Sequence, residues 1–504
     1  MPTAPALAGD LPDDAARPPG IAGGGMGSGA LASALTSDRL LLFALSIGVM
    51  TIVASAPQLL GDGDTLWHLA TGQWILSHGA VPHVDPFSYT AAGRAWTAQE
   101  WLSEVAMAET WRTLGWAGLQ LLFGVAMAAT AWILGSELQR KLPTLSWVAA
   151  LAMALACTAQ SWLARPHLLV LPILALWMVQ LLRAREAGRT PPLWLLALVM
   201  LWANLHASFL IGIALIAPVA AEAVLDAGEN RWRAARGWGL FLLGAVAASL
   251  ITPQNVEGLI YPIRVSSMRT LQDIVEWKSA DFTKLSPFEV SLLTAIFVLV
   301  YRRVRLPLIR LLALIGLLHL GLHEVRHQLV LAVVGVLLIA APLGESLKES
   351  GPSLGLPALR PRARGVAFAL LILAGAGLLA ARIWIPSRLA EGPNHPIAAF
   401  AHVPAPLHGQ PVLNEYGMGG YLILNGVRPF IDGRADMYGD DFFDAYVQAT
   451  RPDRGKLIAL LAKHRVRWTI LDPRNGAVQV LDGLPDWKRI YADKQAVVHV
   501  RTGA

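Results

Sequence analysis

Eleven apolar runs follow one another between residues 40 and 385, and they constrain this chain more than any other feature. They cover residues 40–60, 116–134, 145–163, 167–182, 193–205, 208–225, 238–251, 290–300, 306–320, 325–341 and 366–385. A helix of roughly 20 apolar residues crosses the hydrocarbon of a bilayer. The runs therefore predict an α-helical polytopic membrane protein with about eleven transmembrane helices. Composition agrees: 55% of the residues are hydrophobic and only 15% are charged, against roughly 25% charged in an ordinary globular domain. Charge is costly in hydrocarbon, so such a deficit points to lipid as solvent.

The net charge of +6 has two readings, nucleic acid or membrane orientation. The cations lie in short clusters between apolar runs, which favours orientation, and no nucleic-acid partner is expected. With the N-terminus in the cytoplasm, alternate loops should be cytoplasmic and basic. They hold Arg140 and Lys141; Arg183, Arg185 and Arg189; Arg231, Arg233 and Arg236; Arg302, Arg303 and Arg305; then Lys348, Arg360, Arg362 and Arg364. This register places residues 386–504 outside. Ala54-Ser55-Ala56 resembles a signal-peptidase site, but the apolar run before it is too long for a signal-peptide core, so an uncleaved span is expected. The single cysteine, Cys157, cannot form an internal disulfide, and no Cys/His metal spacing occurs.

Three domains follow. Residues 1–38, rich in Pro, Gly and Ala, read as a disordered cytoplasmic tail. Residues 39–385 form the membrane domain, with a large first outer loop at 61–115. Residues 386–504 form a soluble domain. Strands at 467–471 and 496–500 and helices at 440–450 and 456–463 make it a small α/β unit, without the GxGxxG or P-loop spacing of a nucleotide site. The first outer loop should carry two helices at the membrane surface, within residues 64–78 and 97–114, with Trp67, Trp74 and Trp101 at headgroup level.

Candidate chemistry gathers on the outer side. Asp62-Gly63-Asp64 brings two carboxylates together just past the first span. They could hold a divalent metal, or one of them could keep a raised pKa as a base; a solvated helix start with Asp64 as N-cap is the plainer alternative. His68, one turn after Asp64, can make an Asp–His pair or be a surface histidine. Glu100 and Glu104 can orient a substrate or a metal, or form the wet face of an interfacial helix. Arg165, His167, Asn204, His206, Arg326 and His327 are polar groups at the outer ends of apolar runs. They can line a cavity, or hydrogen-bond between helices. Phosphate is the favoured ligand of Arg165 and Arg326, because the guanidinium fork matches its oxygens. Glu276-Trp277 and Asp281-Phe282 pair acids with aromatics, as a sugar site does and as an interfacial anchor does. In the tail, Asn414-Glu415-Tyr416-Gly417 and Phe430-Ile431-Asp432-Gly433-Arg434-Ala435-Asp436 read as tight turns with an Asp–Arg pair.

With those segments in view, the chain resembles the GT-C class of membrane glycosyltransferases, and more narrowly a bacterial group of GT-C-like membrane proteins. The similar segments are Asp64-Thr65-Leu66-Trp67-His68-Leu69-Ala70-Thr71-Gly72, Asp85-Pro86-Phe87-Ser88-Tyr89-Thr90, Glu100-Trp101-Leu102, Trp202-Ala203-Asn204-Leu205-His206 and Asp432-Gly433-Arg434-Ala435-Asp436. The resemblance implies a protein of the bacterial cytoplasmic (inner) membrane. It implies transfer of a hexose or pentose from a polyprenyl-phosphate donor in the membrane lipid to an extracytoplasmic acceptor: an envelope lipid, glycan or protein. It assigns the catalytic base to Asp64, or less surely Asp62, allows a divalent cation (Mg or Mn) on the same pair, and sets the loop at 252–288 over the donor phosphate. Two other classes compete. A lipid-linked-glycan transporter or flippase would carry polar residues near mid-membrane and internal repeats; neither is seen. A non-catalytic scaffold of an envelope glycan assembly would have no need of Asp64.

Overall fold

The computed structural model describes residues 36–348 and 359–502. The tail expected at 1–38 lies almost wholly outside them. The chain is mostly helical, with one small sheet near its end.

Each apolar run is largely helical, though several, such as 40–60 and 145–163, run past the end of their α-helix. Among the described residues seven helices are long and apolar enough to cross a membrane: Ser37–Ser55, Trp101–Lys141, Thr144–Ser161, Pro166–Glu186, Phe209–Asp226, Val325–Lys348 and Arg362–Trp384. Trp194–Leu205, Pro287–Tyr301 and Leu308–His323 are apolar but shorter. The run expected at 238–251 lies in Arg231–Ser249, whose first turns carry three arginines. Eleven runs thus give seven helices of full length, because hydropathy alone does not tell a complete span from a short or half-polar helix.

Two devices shape the outer face. Gly115 breaks the 41-residue stretch Trp101–Lys141 with φ 60° and ψ −147°. That conformation is open to glycine and strained for other residues. It separates the outer helical segment from the span that continues it. Ala164 N–H bonds the Leu59 carbonyl at 2.8 Å, which fixes the turn bearing Arg165 beside the end of the first span. The other end of the bundle is held by ion pairs among the basic clusters. Arg310 Nε meets both Glu222 oxygens at 3.0 Å, and Arg183 Nη2 meets Glu137 at 2.6 Å.

The C-terminal unit has four strands: β1 (Val412–Asn414), β2 (Trp468–Leu471), β3 (Trp487–Ala492) and β4 (Val497–Arg501). Their order is β1-β2-β4-β3. β1 and β2 are parallel, and β4 is antiparallel to both β2 and β3. Helices Asp440–Thr450 and Arg454–Lys463 pack on it through Phe443, Tyr446, Leu457 and Leu461.

This unit is joined closely to the first loop. The first loop's Ala91, Trp96 and Ala98 share one apolar cluster with Phe430, Ile431 and Tyr438. The Gly63–His78 helix runs under Gly417, Gly420 and Gly433. A Cβ on Gly63 would stand 2.1 Å from the Gly417 carbonyl oxygen, and one on Gly420 would stand 2.2 Å from that of Gly63. The surface helix expected at 64–78 is therefore packed between the membrane helices and the C-terminal unit. Trp67 correspondingly faces protein, with its ring 3.6 Å from that of His68 and 6.3 Å from that of Trp96.

Candidate functional site

The outer ends of the helices bring together acids and bases that lie far apart in sequence. Arg165 stands at the centre. Its Nε and Nη2 donate to the two oxygens of Asp62 at 2.5 and 2.7 Å. Nη2 also lies 3.0 Å from Asp64 Oδ2, and Nη1 donates to Glu276 at 2.6 Å. Asp62 holds the N-cap position of the Gly63–His78 helix but turns its carboxylate to Arg165, so Asp64 is not the N-cap.

One guanidinium cannot balance three carboxylates, and their pKa values divide accordingly. Burial works to raise Asp62, but Arg165, by charge and hydrogen bond, holds it below its usual range. Glu276 behaves likewise: burial is outweighed by Arg165 and Arg326, and its carboxyl is held down. At Asp64 burial wins. Arg165 opposes it, Asp62 and Glu276 add to it, and the carboxyl is pushed up to about 7. Its side chain keeps 21% of its surface open, so protein surrounds it without sealing it.

A second chain of polar groups runs beside the first. His68 Nδ1 lies 3.0 Å from Glu104 Oε1, and its Nε2 lies 3.5 Å from Glu100 Oε2. Glu100 Oε1 is 3.2 Å from His206 Nε2. Ser208 N–H donates to His206 Nδ1 at 3.0 Å, so a neutral His206 carries its proton on Nε2, toward Glu100. Burial, helped by Arg165 and His206, holds His68 well below an ordinary histidine. Burial, only partly opposed by Arg326 and Arg165, pushes Glu100 up to about 8. These contacts line up His206, Glu100, His68 and Glu104 in one chain of polar groups. The Asp64–His68 pair allowed by spacing is replaced by His68 with two glutamates. Glu104, buried to 1% exposure, does not lie on a wet face.

Arg326 differs from Arg165. Its guanidinium lies 4.1 Å above the Trp277 ring. Among the described residues it has no carboxylate within ion-pair distance. Two backbone bonds hold this arrangement: Val325 N–H to the Lys278 carbonyl (3.0 Å) and Ala280 N–H to that of Leu322 (2.9 Å). A stacked cation near the outer ends of apolar helices, with free donors, is suited to an anion.

The remaining expected residues divide between site and scaffold. His167 Nε2 lies 2.9 Å from the Ser161 carbonyl, with its ring 6.4 Å from that of His206; it borders the cluster. Asn204 accepts from Trp101 Nε1 at 2.8 Å and donates to the Met200 and Ile251 carbonyls at 2.8 and 2.9 Å. Those bonds account for it as a helix-to-helix link that sets Glu100 beside His206. His327 turns to Glu324 on its own turn, at 3.3 Å. Asp281 bonds Thr283 within its own loop, so its pairing with Phe282 stays apart from the site.

The C-terminal unit supplies residues that spacing did not assign to the site. Gly433 fits against Asp64, where a Cβ would stand 1.8 Å from Oδ1. The Tyr416 hydroxyl donates to the Gly433 carbonyl at 3.1 Å. The Tyr261 hydroxyl donates to Asp436 Oδ2 at 2.6 Å, and Asp436 is close enough to help raise Glu100. Behind them Arg434, 1% exposed, bonds Asp432 (2.8 and 2.7 Å) and Asp85 (2.8 Å). The polar and glycine-rich run at 430–436 was a usable signal for Gly433 and Asp436; Tyr261 had none. Among the described residues no group of three or more His, Cys, Asp or Glu side chains is placed to hold a metal ion.

No protein-family model and no curated protein matches this chain.

Proposed function

We propose that this chain is a GT-C-type membrane glycosyltransferase that moves a sugar from a polyprenyl-phosphate donor to an acceptor hydroxyl outside the cytoplasm. The observation that carries the reading is Asp64. It is a partly open carboxyl at the membrane's edge whose surroundings push it up to about 7, where a base is best matched to its task. The acceptor oxygen attacks the anomeric carbon, and Asp64 takes its proton. The bond from that carbon to the phosphate oxygen breaks, and polyprenyl phosphate leaves.

Arg326 is the phosphate ligand in this reading, because its donors are free and Trp277 holds it in place. Charge growing on the leaving oxygen would be stabilised there. Arg165, assigned to phosphate by residue type, fits better as the cation that keeps Asp62 and Glu276 ionised and so leaves the proton to Asp64. The divalent cation allowed by the resemblance does not fit the residues present. Asp62 spends both oxygens on Arg165, and Asp64 shares the same guanidinium. No step is routed through a metal.

The test is transfer by purified protein with the lipid-linked sugar that accumulates when the gene is deleted. Asp64→Asn keeps shape and insertion, and its rate should fall about a hundredfold or more, the range for loss of a positioned base. The parent rate should rise with pH and level off above about 7, as Asp64 gives up its proton. Arg326→Ala should weaken donor binding while leaving Asp64's pH profile in place. Full transfer by Asp64→Asn would take this residue out of the mechanism.

A further inference from the structure

A cavity of about 760 Å³ lies on the C-terminal unit, and none of the acids and histidines around Arg165 lines it. It is within the size range of small-molecule sites, and much larger than a single phosphate. Its cations come from three distant segments. Arg94 belongs to the first loop, Arg269 to the 252–288 loop just before the turn Thr270–Asp273, and Lys463 to the last turn of Arg454–Lys463. Arg94 gives one bond, to the Tyr438 carbonyl (2.7 Å). Arg269 is 76% exposed and stands 3.8 Å from Asp440. Lys463 is exposed. Lys456 also lines the cavity but donates to Gln448 at 3.0 Å.

The acids present do not cancel these charges. Asp440, held by the Thr270 N–H at 3.0 Å and hydroxyl at 2.7 Å, keeps its charge beside Arg269, so Asp440 and Asp441 offset only part of the charge of Arg94, Arg269, Lys456 and Lys463. The wall is aromatic. Phe442 and His464 reach the cavity as partly exposed rings. Phe442 is backed by stacked Tyr438 and Phe430, with centroids 5.3 and 5.2 Å away. Rings that stack on a flat face, within a rim of exposed cations, match the two surfaces of a sugar acid: apolar C–H faces and ionised carboxylates.

We infer that this cavity binds an acidic oligosaccharide. It does so whether or not the chain transfers sugar, since the cavity shares none of the residues assigned to that chemistry. The floor is connected to the other site, however. The Tyr438 hydroxyl donates to Asp432 at 2.8 Å, and the next residue, Gly433, rests on Asp64. A glycan held here would lie on the unit that covers Asp64.

Calorimetric titration of the full chain in lipid nanodiscs tests the inference with three probes: trigalacturonate, the neutral maltotriose and inorganic pyrophosphate. Trigalacturonate should bind at least tenfold more tightly than either of the others. The double charge reversal Arg269→Glu with Lys463→Glu changes only exposed groups, and should weaken trigalacturonate at least tenfold with an unchanged melting temperature. Phe442→Ala should weaken it as well. Equal binding of maltotriose would overturn the role of charge, and equal binding of pyrophosphate would reduce the site to an anion site. Binding unaffected by the double reversal, or no binding by the parent protein, would refute the proposal outright.

Discussion

Around Arg165 the decisive quantity is the number of charges that one cation can satisfy. Asp62 and Glu276 hold their charges against it, while Asp64 is pushed up to about 7, where it both holds and releases a proton near neutral pH, and Glu100 is pushed up to about 8. Glu100 gives this a consequence for stability. Its carboxyl is pushed up to about 8 in the folded chain, against an ordinary 4.5. Between those values the folded protein holds a proton that the unfolded chain has released. Stability therefore falls as pH rises across that window, and the contribution is gone above about 8. Glu100→Gln should melt with the parent at pH 5 and a few degrees above it at pH 9, by thermal unfolding in detergent. A difference between the two that did not change with pH would show that Glu100 ionises normally. The residues themselves were visible in sequence as polar groups at outer helix ends. Their partners were not, because Asp62 and Arg165 are 103 positions apart and Glu100 and His206 are joined only through the fold.

At the scale of elements, the 85–96 stretch of the first loop and the 430–438 segment of the C-terminal unit hold each other through Arg434. This guanidinium sits over the Trp96 and Phe87 rings at 4.7 and 5.2 Å and bonds Asp85 and Asp432 in a buried cluster. Arg434→Met would leave two carboxylates buried without their cation, and removing one partner of such a pair costs about 3–5 kcal/mol. The expected result is faster hydrogen exchange at residues 85–96 and 430–438, with the transmembrane helices unchanged. Asp85→Asn in the same background should restore part of the protection; protection equal to the parent's in Arg434→Met would show that the contact does not join these elements. The Asp–Arg pairing inside 432–434 was legible from its turn residues. The third partner was not, since Asp85 lies 349 residues earlier. The strands near 468–471 and 497–501 were legible as short apolar alternations. The close backbone approach at Gly63 was not, because glycine is common in turns and helix starts for other reasons.

For the whole molecule, the proposed topology puts the Arg-rich loops in the cytoplasm and the polar cluster on the opposite side. Single cysteines in a Cys157→Ser background, probed with an impermeant thiol reagent in intact cells, test that assignment. The positions are exposed Ala92 in the first loop, exposed Gln410 in the C-terminal unit and exposed Glu229 beside the Arg231 cluster. Ala92→Cys and Gln410→Cys should label and Glu229→Cys should not; the reverse pattern would invert the topology. Helix positions were legible in the apolar runs because each depends on the hydropathy of its own residues. Seven of the eleven runs give helices of full length; the others fall in shorter helices, such as Trp194–Leu205, or in one that begins with arginines, Arg231–Ser249.

The junction between first loop and last domain also sets an order of events in the life of the chain. The Tyr89 hydroxyl bonds the Val412 carbonyl across 323 residues, and Gly63 meets Gly417 and Gly420 over a similar distance. The ribosome delivers the first loop early and its cover last, and contacts so far apart in sequence form late. Throughout synthesis the segment bearing Asp64 waits without Gly433 beside it. A nascent chain that has not yet reached residue 433 can thus be inserted in the bilayer and still lack a finished centre, so the arrival of the 412–433 segment completes it.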